Sequence, residues 1–491
     1  MKEYIPHISD LIDLVIEGLA FLLPESILTI AFLISIFSGV FVKNNSFITW
    51  LITMVGLLLA GMATVYQLHS PADEPVFFDM ILPDTTGAKI KILITLSGLL
   101  FGSFLFYSKV FKTYEKGIAD LLSTLLALHV GMNLMAMSVN WLMTYIAVEM
   151  VSIGSYIMVG AFVIGKNQSE AAMKYVLFGA VCSAMMLYGI SFLYGYTGSL
   201  SFTGENHLIA LAEMPVPLLL FAMLLVLTGI GFKLSFVPFH FWSPDIYQGA
   251  ATPVVALLST APKIAAIVLL ARFVSAWSMF MMPVVIFYML VFFAVASMVV
   301  GNFVAIRQHN LKRMMAYSSI GHTGFLMMIV LSGLEQSVNV LLYYLLIYTI
   351  MNMGVFMLAS YFEERLGVVD VNQFRGLGKV YPTLTMAMTI FMVSLIGLPP
   401  TAGFIAKLLA FSAAWDVYTH GGDMAWLVLL ATGAVTTVVA LFFYFKIPLN
   451  AFLRNSEVDY PKSPVNGLVV IALLLSFFTL ILGIFPSIML N

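Results

Sequence analysis

The chain has 491 residues, 61% of them hydrophobic and 9% charged, with a mean hydropathy of +1.03. A soluble domain carries about 25% charged residues, so this composition excludes a water-soluble protein and requires an integral membrane one. A net charge of −2 gives no case for nucleic-acid binding, and the single cysteine, Cys182, excludes a disulfide framework, an iron–sulfur cluster and a cysteine-built zinc site.

The opening MKEYIPHISDLIDLVIEG mixes acids into its apolar residues and has no small-residue cleavage site, so it does not read as a signal peptide. A membrane-crossing helix needs about 20 apolar residues. That ruler predicts spans near 18–42, 47–68, 90–108, 118–138, 141–164, 170–195, 216–248, 251–276, 281–306, 311–333, 338–362, 384–417, 423–446 and 466–488. The expected architecture is therefore all-α, one polytopic membrane domain of about fourteen helices.

Basic residues test that count. Every second connection holds Lys43; Lys109, Lys112 and Lys116; Lys166; Arg307, Lys312 and Arg313; Arg365, Arg375 and Lys379; Lys446, Arg454 and Lys462. The opposite connections hold Lys89, Lys91 and Arg272, with Lys2 at the start, among acids such as Asp73, Glu74, Asp79, Asp84, Glu205 and Glu213. Cytoplasmic loops are the basic ones, so both termini are expected on the external side of the membrane.

Four basic residues remain, and all are lysines inside apolar spans: Lys174, Lys233, Lys263 and Lys407. Glu149 is the acid near the middle of a span. A central lysine costs about 2.5–3.5 kcal/mol to insert. Arginine does not give up its proton, whereas a desolvated lysine can, so a row of buried lysines beside a carboxylate reads as a proton relay. Snorkelling to an interface or a fixed ion pair is the competing reading, strongest for Lys174 near its helix end and weakest for Lys263.

The seventh span runs GIGFKLSFVPFHFWSPDIYQGAATP, so Pro238, Pro244 and Pro253, following Lys233, predict a break just past that lysine. The twelfth runs SLIGLPPTAGFIAKLLAF, placing Gly397, Pro399, Pro400 and Gly403 just before Lys407. Backbone groups freed at such breaks need internal partners or water, which marks a lined cavity. The breaks lie five spans apart, and an odd repeat inverts its second copy. The expected units are three N-terminal helices in 1–117, a first five-helix repeat in 118–276, an inverted second in 281–446, and a last helix in 466–488. His322 inside span ten is a relay candidate; His129 and His240 are weaker ones, and Asp245 reads as a cap for a short helix.

VEMVSIGSY around Glu149, SEAAMKYVLFGA around Lys174, FKLSFVPFHFWSPDIYQGA around Lys233, STAPKIAAI around Lys263, HNLKRMMAYSSIGHTGF up to His322 and GLPPTAGFIAK up to Lys407 occur in that order. Together they resemble the antiporter-like membrane subunits of respiratory complex I, with relatives in multisubunit cation/proton antiporters and membrane-bound hydrogenases. Lysine at 263 and a chain ending soon after span fourteen resemble the subunit-N branch of bacterial NADH:quinone oxidoreductases. Ala251, where the family commonly has proline, departs from it.

The resemblance implies that Glu149 and Lys233 form a coupling ion pair modulated by Lys174. It makes Lys263 the central relay group, followed by His322 and then Lys407 toward the external side. It also implies a redox-silent chain in a bacterial inner membrane. NADH, FMN, iron–sulfur clusters and quinone would belong to partner subunits, among them a sister antiporter-like subunit and small membrane subunits. A subunit of a multisubunit cation/proton antiporter or of a membrane-bound hydrogenase, and a non-pumping scaffold, are the alternatives.

Overall fold

The computed structural model describes residues 12–13, 15–41, 46–113, 115–161, 165–279, 282–455, 460–461 and 463–490. Lys2, Lys43 and Lys462, and the reading of residues 1–11, lie outside them.

Each apolar run folds into a helix because no other local structure satisfies every backbone group in hydrocarbon. In chain order these are α1 (Val15–Phe41), α2 (Ser46–Gln67), α3 (Thr85–Tyr107), α4 (Glu115–Met137), α5 (Trp141–Gly160), α6 (Lys166–Thr197), α7a (Val216–Leu234) and α7b (Trp242–Gly249). They continue with α8 (Thr252–Ser275), α9 (Val284–Ala305), α10 (Leu311–Leu331), α11 (Leu334–Leu366), α12a (Pro382–Ile396), α12b (Ala402–Gly421), α13 (Met424–Tyr444) and α14 (Gly467–Ile484). Thirteen helices among the described residues are long and apolar enough to cross a membrane, and the broken α12a–α12b makes the fourteenth crossing. Asp84, Asn140, Asn310, Asp423 and Asn466 cap helix starts by accepting a backbone N–H.

Loops meet as the alternation requires. At one end Leu82 donates to Met137, and Trp141 to Leu200. At the other, Val371 donates to His309, Gly376 to Asn450, and Lys109 N–H to Glu364. The first end carries the acids and the second the bases.

Two residues depart from the loop assignment. α3 begins at Thr85, five residues before the expected start, so Lys91 is inside it and fully buried. Arg272 ends α8 and is buried as well, because its guanidinium lies on Asp84 and on the carbonyl of Ala136. In both cases a neighbouring carboxylate draws the cation inward.

The most hydrophobic segment of α8 is wholly buried, and those of α10 and α11 are nearly so, while α1, α2 and α6 keep open apolar faces. A helix that is apolar all round belongs in a core. Lys263 and His322 therefore sit on the helices with the least access to lipid.

Candidate functional site: a buried lysine and hydroxyl axis

Both breaks form where the sequence places them. α7a ends at Leu234, Ser235 takes a left-handed conformation (φ 57°), and helix resumes at Trp242. α12a ends at Ile396, Gly397 is left-handed (φ 89°), and α12b starts at Ala402. Lys233 is in the last turn before its break, and Lys407 follows its own. Ala251 leaves the start of α8 regular, with Pro253 in the first turn where no N–H is needed.

The freed carbonyls are used. Lys407 Nζ donates to Ile396 O at 2.8 Å and lies 5.0 Å from the ring centre of Phe325. Thr323 on α10 donates to Leu234 O at 3.0 Å, and its oxygen accepts from Lys263 Nζ at 2.9 Å. One threonine thus connects the first break to the central lysine. Lys263 also donates to Ser319 O at 2.9 Å and Ser319 Oγ at 2.5 Å, and Ser319 Oγ pairs with Tyr348 OH at 2.7 Å. Pro262, just before Lys263, has no N–H to give Leu258 O, which leaves one more free acceptor in α8.

His322 continues the axis. Nδ1 is 2.8 Å from Tyr344 OH, and Nε2 is 3.4 Å from Tyr444 OH, which in turn pairs closely with Ser318. An imidazole between two hydroxyls can donate at one nitrogen and accept at the other, then exchange roles as the hydroxyls rotate. Ser318 and Ser319 project from one turn of α10, and His322 and Thr323 from the next, three to five residues on. That polar row on an apolar helix was visible in the sequence. Tyr344, Tyr348 and Tyr444 were not singled out, since tyrosine is also ordinary packing material.

Glu149 and Lys233 lie apart in this structure. Glu149 accepts a close hydrogen bond from Ser183. Lys233 is buried, its Nζ has no hydrogen-bond partner among the described residues, and it sits 5.9 Å from the ring centre of Tyr156. Lys174 is partly exposed and bridges Glu170 (2.9 Å) and Asp245 (3.0 Å). Asp245 also binds Arg313 at 2.7 Å, so it ties α7b to α6 and α10 as well as standing in the first turn of its short helix. Lys174, Glu170 and Asp245 line an open cavity of about 680 Å³ at the basic end. His240 is buried in the first break against Phe241.

Known proteins share this fold. The family described as NADH:quinone oxidoreductase/Mrp antiporter, transmembrane region, matches residues 138–450, which contain both breaks and all six candidate residues. The chain belongs to this family. NADH-quinone oxidoreductase subunit N 2 of Chloroherpeton thalassium is 38% identical, over 98% of this chain and 94% of its own. Subunit N of Chlorobium chlorochromatii is 37% identical, over 91% of this chain and 88% of its own. Among solved structures, a chain of respiratory complex I from Thermus thermophilus superposes with a TM-score of 0.78 at 29% identity, covering 95% of this chain and 98% of that one. The Mrp complex of a Dietzia species shares the fold at a TM-score of 0.77 and 19% identity. Residues 1–137 and 451–491 lie outside the stretch that matches the family, 138–450.

Proposed function

We propose that this chain is a proton-translocating membrane-arm subunit of an NADH:quinone oxidoreductase. The observation that carries the reading is the row of buried, proton-releasing groups joining two broken helices: Lys233, Lys263 with Thr323 and Ser319, His322 with its tyrosines, and Lys407. A fixed scaffold has no need for three buried lysines inside apolar spans, where insertion costs several kcal/mol. Protons enter from the cavity at the basic end and leave from the acidic end beyond Lys407.

The separated Glu149 and Lys233 are one state of a pair that closes when the neighbouring subunit moves. Closure favours the charged lysine, and opening favours release of its proton toward Lys263. Lys174, held by Asp245 in this state, tunes the pair by swinging toward Glu149. Residues 118–276 and 281–446 act as two inverted units around the axis. The basic end faces the cytoplasm of a bacterial cell, and both termini lie outside. Quinone, NADH, FMN and iron–sulfur chemistry belongs to partner subunits, and a sister antiporter-like subunit is the expected neighbour.

The test is Lys233→Ala in the complex purified with its companions and reconstituted in vesicles. The expected outcome is intact assembly with proton pumping lost. Normal pumping by the assembled variant overturns the relay. Sodium-dependent proton movement with no redox companions would instead identify a cation/proton antiporter component.

A further inference from the structure

A second buried ionisable cluster lies among the first four helices, outside the axis described above. Lys91 on α3 has no exposed surface, and its Nζ is 2.8 Å from Glu25 on α1 and 3.1 Å from Gln67 Oε1 on α2. Gln67 is anchored by its Nε2 donating to Phe21 O. Two turns along α3, His129 of α4 fits against the bare backbone of Gly98, where a Cβ would lie 2.2 Å from Nε2. The histidine places Nδ1 2.8 Å from Leu125 O and Nε2 3.3 Å from Ile94 O. Carbonyls only accept, so the doubly protonated ring satisfies both contacts and the neutral ring satisfies one. On the residue before Gly98, Ser97 Oγ is 2.8 Å from Thr260 Oγ1, which is less than one turn from Lys263 on α8.

We propose that Lys91, Glu25 and His129 form a branch of the proton path that joins the central lysine to the acidic end through the three N-terminal helices. The inference rests on the proton-moving reading of Lys263. The same end of the molecule offers an internal comparison. Where the fold needs a fixed clasp it uses Arg272 on Asp84, a cation that keeps its proton. Where the pair is fully enclosed it uses lysine, which can lose one.

The transfer balances as follows. The Lys91 ammonium passes a proton to the Glu25 carboxylate: an N–H bond breaks, an O–H bond forms, and both groups become neutral. Glu25 returns to the carboxylate as its proton leaves to the acidic end, from which α1 starts. The Lys91 amine then regains a proton from the His129 side through intervening water. His129 is reloaded along Thr260 and Ser97.

Lys91→Arg separates a branch from a clasp, because arginine keeps the pair with Glu25 but does not release its proton. The variant complex, with native companions, is reconstituted and proton uptake is measured per assembled complex. Lys233→Ala and Lys263→Ala are run beside it. The branch predicts that Lys91→Arg assembles and loses most of its proton uptake. Full uptake overturns it. If Lys91→Arg fails to assemble, the pair Lys91→Met with Glu25→Leu, which removes both charges together, is read the same way. Normal uptake in Lys233→Ala and Lys263→Ala would instead remove the proton-moving reading itself, whatever Lys91 does.

Discussion

At the scale of single residues, Lys263 is held by oxygens that have no competing cation among their contacts. Thr323→Val removes one acceptor from its ammonium and the contact with Leu234 O. A lost hydrogen bond to a charged group costs about 1.5–3 kcal/mol, so proton translocation through this chain should slow by roughly tenfold or more with assembly retained. Vesicle pumping assays would measure it, and an unchanged rate would mean that the hydroxyl is only packing. His207 supports a different expectation, about stability. It is buried on the short helix Glu205–Glu213 before α7a, where Trp141 Nε1 donates to Nε2 and Nδ1 faces Thr197 and Ser199 O. Burial pushes its pKa from 6.5 down to about 4, and the bond to Ser199 O offsets this only in part. The unfolded segment therefore takes up the proton first as pH falls. The stabilisation is complete above about 6.5 and is lost as pH drops toward about 4. Hydrogen exchange across residues 198–213 should quicken over that window, and His207→Gln should abolish the dependence.

At the scale of elements, the two breaks differ in how they hold their lysines. The first leaves Lys233 without a hydrogen bond among the described residues, ready to change partner, whereas the second fixes Lys407 on the carbonyl of Ile396. Gly397 permits the second arrangement. Its φ of 89° is left-handed, and a Cβ there would lie 2.8 Å from Lys407 Cδ. Gly397→Ala should cost about 1–2 kcal/mol through the backbone alone. It should also displace Lys407, so that pumping falls more than the small drop in thermal stability explains. Helices α9 and α10 meet as closely, since a Cβ on Gly301 would lie 2.4 Å from Gly321 N. Gly301→Leu should force them apart and reduce the amount of assembled chain, read as recovery from membranes.

At the scale of the whole molecule, α8, α10 and α11 carry the axis inside while α1, α2 and α6 face outward. The charge asymmetry between the ends orients the chain. In a Cys182→Ala background, Asp73→Cys should react with a membrane-impermeant maleimide from outside intact cells. His309→Cys should react only in inverted membranes. The reverse pattern would turn the proposed direction of proton flow around.

Fourteen crossings, the alternation of loops and both breaks were legible because hydrocarbon imposes length, composition and backbone satisfaction on each segment separately. The titratable side chains were legible for a similar reason: a lysine in an apolar run is costly wherever it points. What each lysine touches was decided by tertiary packing. Lys91 read as a loop residue because Glu25, its partner, is 66 positions away on another helix. The resemblance makes Lys174 a modulator of the Glu149–Lys233 pair; that its Nζ lies on Asp245 follows from α7b packing across the basic end. The hydroxyls that connect the axis come from α10, α11 and α13, and no spacing within one segment brings them together. Composition and period are properties of a segment; a proton path is a property of distances between segments, and only folding sets those.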